Sequence, residues 1–340
     1  MVKHEGLHQF AEQKARETLD RMAFVLAEAV AAVEPANSTA SPLEIFPEPG
    51  QRRADTEFSL PAEQETAFRA AMSKLGMGRE IDQTASEVGL KDGYVAIIEG
   101  GQAHKMIAEL NTVLSDPAVR PSAIVVAATP DRIIPDPASD KAKEKEVTAR
   151  VFNTDIESIP ETEYDVAQQV IYKIPDLLAQ RVAVLELSYD MDGNVSSEST
   201  GQFKRIGMVN HITPVYLLRV DREYDRHDPK KYRTLGSKNL IKVVDGMLRQ
   251  NGETQDVGFV TSATYQPSRE VDAASAMLEI ERQGVFRNVG VITYGTHQLA
   301  EVKKEPYPQL PALGQLAGEA HKASKQLEAL RSLLEKNAEA

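Results

Sequence analysis

Short, almost uninterrupted apolar runs dominate the chain from Lys91 onward. They read YVAIIEG, SAIVVAAT, RVAVLELS, PVYLLRV, VGFVTSA and NVGVITYG, and helical spacing occupies 102–115, 162–180, 237–250 and 267–283. Strands that are apolar along their whole length and alternate with helices are typical of a parallel sheet covered on both faces. The pattern therefore predicts an α/β fold: a doubly wound, mainly parallel sheet in a Rossmann-like three-layer arrangement.

Helical patterns also precede and follow the predicted sheet. Residues 7–33 place apolar positions on one face of a helix, a Pro- and Ser-rich linker follows, and 62–77 predict a second helix. An apolar seam with steps of three and four runs along the last helix, at Leu313, Leu316, Ala320, Ala323, Leu327, Leu330 and Leu334. Such a seam either packs within the chain, which we favour, or joins two subunits in a homodimer.

These patterns divide the chain into three parts. We expect a helical N-terminal extension with its linker over 1–90 and an α/β domain over 91–305, which carries a polar insert at about 189–204. The remaining residues, 306–340, form the C-terminal helix of this prediction.

Composition narrows the classes of partner and chemistry. The chain has 51 acidic and 39 basic residues, a net charge of −12, which argues against nucleic acid as a partner. It has no cysteine, which excludes thiolate nucleophiles and disulfides. No apolar run approaches the ~18 residues of a membrane span, and the acidic residues near the N-terminus differ from a signal peptide. We therefore expect a cytoplasmic protein without a membrane span.

Candidate binding residues follow the predicted strands. Ligands of doubly wound sheets bind outside the carboxyl ends of the strands, and the first turn of a helix attracts anions. The candidates at these positions are Glu99, Gly100, Gly101, Lys105, Thr129, Asp131, Arg132, Thr261, Ser262, Tyr265 and Arg269. Taken singly, the residues after each strand also fit a tight turn with solvated side chains and no ligand. The G-x-G-x-x-G and P-loop patterns are absent, which disfavours ordinary NAD-type and P-loop sites.

Two segments resemble metal-binding motifs without fulfilling them. HEGLH, at His4 to His8, matches H-E-x-x-H, but Gly6 weakens the helix that this motif requires and no third ligand stands out. In the polar segment DMDGNVSSE, Gly193 occupies the fourth position of a calcium loop where the sixth is required. We therefore predict no metal site.

Several short motifs follow the predicted strands in a fixed order: VAIIEGG, IVVAAT, ETEYDVAQQV, GSKNLIKVVDGML and GFVTSATYQPSREVDA. Their order resembles that of the YdcF/SanA-like domains, a bacterial family of largely unknown function, and the resemblance covers about 92–295. The positions that match the family pattern are Gly100, Gly101, Glu163, Asn239, Thr261, Ser262, Pro267 and Arg269. The chain departs from the pattern at 127–129, where a second glycine pair is expected, at Lys238 and at Gln266.

The resemblance implies a ligand cleft between two strand ends. Gly100 and Gly101 would form its floor, and Thr261, Ser262 and Arg269 its opposite wall, all within the ~15 Å that one small ligand spans. We expect Arg269 to be exposed there, so that its removal would affect ligand binding more than stability.

Three hypotheses about function follow. The first is a protein that binds a small anionic or nucleotide-like ligand, with a nucleotide or an S-adenosyl compound as the candidate cofactor. The second is a transferase or hydrolase that acts on such a ligand with Glu99, Glu163 or Asp131 as its base. The third is a protein-interaction scaffold that uses its terminal helices.

Overall fold

The central element of the fold is a six-stranded sheet in which every strand pairing is parallel. The computed structural model describes residues 2–37, 39–49, 57–130, 141–173, 183–185, 215–220, 223–224, 232–233, 236–249, 255–280, 286–305 and 310–339. The sheet strands are β1 (Tyr94–Glu99), β2 (Pro121–Ala128), β3 (Ala183–Leu185), β4 (Val215–Arg219), β7 (Gln255–Ser262) and β8 (Phe286–Tyr294). Two short strands, β5 (Glu223–Tyr224) and β6 (Tyr232–Arg233), form a separate antiparallel pair.

The strand order in the sheet is β3-β4-β2-β1-β7-β8. Side chains alternate between the two faces of a strand, so the apolar runs supply a core on each side. Val95 and Ile97 of β1 belong to the apolar cluster on one face, and Ala96 and Ile98 to the cluster on the other. This burial on both faces explains why the strands are apolar along nearly their whole length.

Helices cover both faces of the sheet. The first face carries α4 (Ala103–Ser115), α5 (Lys141–Phe152), α6 (Glu163–Lys173) and α9 (Thr296–Lys303). The second face carries α7 (Ser237–Arg249) and α8 (Gln266–Ile280). The predicted doubly wound, three-layer α/β fold is confirmed.

The terminal helices pack onto the second face. These helices are α1 (Val2–Val33), α2 (Pro42–Ile45), α3 (Ala62–Ser73) and α10 (Leu313–Glu339). Both α1 and α10 contact α8, and their side chains join the apolar cluster that contains Val257 and Phe259 of β7. Lys14 Nζ of α1 also donates to Val289 O of β8 at 2.7 Å.

The apolar seam of α10 is therefore buried within the chain, as we favoured. Leu316, Ala320, Leu327 and Leu334 are each among the buried core residues. The homodimer through the terminal helices and the three-part division of the chain stay predictions. The polar insert at about 189–204 lies outside the described residues. Among the described helices, none has the length and apolar character needed to cross a bilayer.

Candidate functional site

The sheet reverses its strand order between β1 and β7. From β1 the chain passes through α4 to β2 on one side, and it later returns to β7 on the other side of β1. The helices α4 and α8 lie on opposite faces of the sheet, and in doubly wound sheets this arrangement places the ligand crevice at the carboxyl ends of the two strands, here β1 and β7. We call this place the switch-point crevice and define it by Glu99, Gly101, Lys105, Glu163 and Arg269.

Glu99 and Arg269 form an ion pair across this crevice. Arg269, in the first turn of α8, donates to Glu99 Oε2 and to the hydroxyl of Ser237 at the start of α7. Ser237 Oγ in turn donates to Glu99 Oε1 at 3.0 Å. The guanidinium carbon of Arg269 also lies 5.5 Å from the ring centroid of Phe259, within the range of a cation–π contact. One strand and two helices are thereby joined at the switch point.

The expectation of an exposed arginine is wrong. The Arg269 side chain is 16% exposed, and its positive charge already faces the carboxylate of Glu99 and, at 3.6 Å, that of Asp272. Removal of a buried partner leaves the other charge poorly compensated. Arg269 therefore supports the structure of the crevice, and its substitution affects stability as well as any ligand.

The two adjacent glycines have different surroundings. A Cβ atom at Gly100 would lie 2.4 Å from Glu163 Oε1 and 2.9 Å from both Ala127 O and Ala128 Cα. At Gly101 an added Cβ would meet no atom within 4 Å. Close packing therefore explains Gly100, whereas Gly101 faces open space at the start of α4.

Glu163 reaches the crevice because α6 begins beside the end of β2. Thr162 caps this helix: its hydroxyl accepts from Asp165 N at 3.1 Å and donates to the Asp165 carboxylate at 2.7 Å. Tyr164 N donates to Thr129 O at 3.2 Å, which docks the helix start on β2. Glu163 is consequently 6% exposed, with its carboxylate next to Gly100.

Two buried titratable side chains on α4, Glu109 and His104, are not among the predicted site residues. Glu109 is 7% exposed, and burial followed by the negative charge of Glu99 raises its pKa well above the ordinary value. His104 is 5% exposed, and burial followed by the charges of Lys105 and Lys303 lowers its pKa well below the ordinary value. Helical periodicity would place residue 109 next to the buried Leu110 without indicating that a carboxyl group is buried there.

The other predicted residues lie on several different elements around the switch-point crevice or outside the described residues. Lys105 is in the first turn of α4 and partly exposed, Thr261 and Ser262 end β7, and Asn239 is in the first turn of α7. Tyr265 directs its hydroxyl to the C-terminal helix, where Gln315 Nε2 donates to it at 3.3 Å. Asp131 and Arg132 lie outside the described residues.

Polar side chains of α10 form hydrogen bonds with the N-terminal half of α8. Glu319 Oε1 accepts from Ser268 N at 3.3 Å, and Gln326 Nε2 donates to Asp272 Oδ1 at 2.7 Å. Asp272 faces Arg269, so α10 contacts the neighbours of the ion pair. The sequence analysis found the apolar seam of this helix and missed the polar stripe beside it.

Comparisons with known proteins identify no family or function for this chain. No family model matches the chain, and no curated protein or solved structure matches it at a significant level. Within the described part of the chain, no group of three or more His, Asp or Glu side chains is placed to hold a metal ion.

Proposed function

We propose that the switch-point crevice binds a small anionic or nucleotide-like molecule. The observation that carries this proposal is the open space at Gly101, directly before the first turn of α4 and next to Gly100, which itself packs against the Glu163 carboxylate. A glycine whose neighbour is packed tightly, but which itself faces open space, allows a ligand to approach the backbone closely. The predicted cytoplasmic location and membership of the YdcF/SanA-like domains belong to the same proposal.

The crevice offers different contacts to different parts of such a ligand. First-turn N–H groups of α4 and the ammonium group of Lys105 favour an anionic group. The carboxylates of Glu99 and Glu163 accept from hydroxyl or amino groups, as a sugar carries. Because Glu99 already compensates the charge of Arg269, Lys105 is the cation left for the ligand among the described residues that define the crevice. A ligand with one phosphate or carboxylate group fits this balance better than a triphosphate.

A second candidate function is a transferase or hydrolase acting on the same ligand. The observation that favours it is the juxtaposition of two carboxyl groups with different environments: Glu99 is ion-paired with Arg269, whereas burial favours the protonated form of Glu109. Such a difference is the usual basis for a base and an acid in one site. The interaction-scaffold hypothesis is weaker, because most apolar side chains of α1 and α10 are buried in the core that these helices share with α8.

The test begins with the purified protein. Denaturing mass spectrometry detects any co-purified small molecule, and isothermal titration calorimetry measures binding of AMP, S-adenosylmethionine and inorganic phosphate. We expect Gly101→Val, which fills the open space, to weaken the binding of AMP or S-adenosylmethionine at least about tenfold, a loss of about 1.4 kcal/mol.

The matched control is Gly246→Val in α7, where an added Cβ also meets no atom within 4 Å. This variant should bind like the wild type. The proposal fails if no compound co-purifies and none of the three probes binds. It also fails if a probe binds and both valine variants bind it with wild-type affinity.

A further inference from the structure

Glu109 is a buried acid with an unused hydrogen-bonding atom. It lies one helical turn after Lys105 on α4, is 7% exposed, and its Oε2 has no hydrogen-bond partner in the part of the chain that the structure describes. Buried polar atoms in proteins are almost always paired with protein or water. An unpaired carboxyl oxygen at this depth therefore points to a missing partner.

The surroundings of Glu109 are the charged groups of the switch-point crevice. The charges that act on it most are, in order, those of Glu99 from β1, Lys105 from its own helix, Arg269 from α8 and Glu163 from α6. These side chains come from four different elements. Glu109 therefore lies among the groups that define the crevice.

Other titratable groups near α4 face different residues. From β8, Tyr294 is close enough for the Glu109 charge to contribute to its raised pKa, although burial is the larger cause. Gln102, the residue before α4, donates to Glu144 of α5, and Lys303 of α9 acts on His104. The two cations near Glu109, Lys105 and Arg269, do not outweigh its burial and the two neighbouring carboxylates, so its pKa stays well above the ordinary value and the neutral form is favoured.

We propose that Glu109 is the hydrogen-bond donor of the switch-point crevice and that its carboxyl O–H contacts an uncharged acceptor of the bound ligand. A neutral carboxyl group supplies one such donor, which carboxylates cannot. The matching ligand group is a ring nitrogen or a carbonyl oxygen, as a nucleobase carries. This inference rests on the proposed ligand site and adds which group of the ligand Glu109 recognises.

The ligand binds the protonated form of Glu109, so affinity decreases as the pH rises through the pKa of this group in the folded protein. Glu109→Gln keeps the shape and an N–H donor but removes the titration. Glu109→Leu keeps the approximate volume and removes the donor. The two variants therefore separate hydrogen bonding from packing.

The experiment measures the affinity for AMP and S-adenosylmethionine by calorimetry across the pH range in which the protein stays folded. We expect wild-type affinity to fall with rising pH relative to the affinity of Glu109→Gln. Protonation of the ligand itself affects both proteins equally, so this comparison removes its contribution. Glu109→Leu should bind roughly two- to tenfold more weakly at the acidic end of the range. Circular dichroism shows whether each variant is folded.

Each outcome decides the question. If a probe binds and the wild type and Glu109→Gln show parallel pH profiles, Glu109 does not donate to the ligand, even where Glu109→Leu fails to fold. If Glu109→Leu is folded and binds with wild-type affinity, Glu109 is a structural acid and the ligand site survives without it. If neither probe binds the wild type, the proposed ligand site fails and this inference fails with it.

Discussion

Adding one methyl group at Gly100 or at Gly101 should have opposite consequences. The two residues are neighbours, but only Gly100 is enclosed, by the Glu163 carboxylate and by the backbone of β2. Neither residue is among the glycines with positive φ, so alanine is compatible with the backbone at both positions. The comparison therefore isolates the packing around the added atom.

The expected magnitudes follow from the contacts. At Gly100 the new Cβ would lie 2.9 Å from Ala127 O and Ala128 Cα, which belong to a buried strand and have little freedom to shift. Overpacking of this kind costs about 1–3 kcal/mol. At Gly101 no atom lies within 4 Å of the new Cβ, and the lower entropy of the unfolded chain stabilises by at most roughly 0.4–1 kcal/mol.

Urea unfolding followed by far-UV circular dichroism measures both effects. Tyrosine fluorescence provides a second probe, since the chain contains 10 tyrosines and no tryptophan. The unfolding midpoint of Gly100→Ala should lie below that of the wild type, and that of Gly101→Ala at or above it. Equal midpoints for the two variants, or a lower midpoint for Gly101→Ala, would refute the assignment of packing to Gly100 and open space to Gly101.

Three further predictions concern the charged groups. Because the pKa of Glu109 is raised, the wild type should lose about 1.4 kcal/mol of stability per pH unit relative to Glu109→Gln as the pH rises from 4.5 to the pKa of this group in the folded protein. Because the pKa of His104 is lowered, the wild type should lose stability relative to His104→Gln at the same rate of about 1.4 kcal/mol per unit as the pH falls from 6.5 to the pKa of this group in the folded protein. Arg269→Ala should destabilise by about 2–3 kcal/mol, since Glu99 is left without its partner.

Urea unfolding at a series of pH values tests the two titrations, and pH-independent differences from the glutamine variants would contradict them. The control for Arg269 is Arg21→Ala, whose side chain is 45% exposed and pairs with Glu270. An exposed ion pair contributes at most about 1 kcal/mol. If Arg269→Ala is no more destabilising than Arg21→Ala, the Glu99 pair does not support the crevice.

The apolar periodicity was sufficient to predict the layers of this fold. Each predicted strand run overlaps a strand of the sheet, because burial on both faces requires residues that are apolar at successive positions. The rule that ligands bind at strand ends directed attention to Glu99 and Arg269 for the same reason. Their mutual contact was not predicted, and neither was the low exposure of Arg269.

The sequence by itself determined the strands of the sheet and most of the helices, although not α2, α5 or α9, and it determined which polar side chains follow the strands. Only the tertiary structure decided which of those side chains meet. Glu99 and Arg269 are 170 residues apart, and they pair because β7 returns to the side of β1 opposite β2. Strand order, and with it the enclosure of Gly100 and the burial of Glu109, depends on packing between distant segments, which local hydrophobic patterns do not encode.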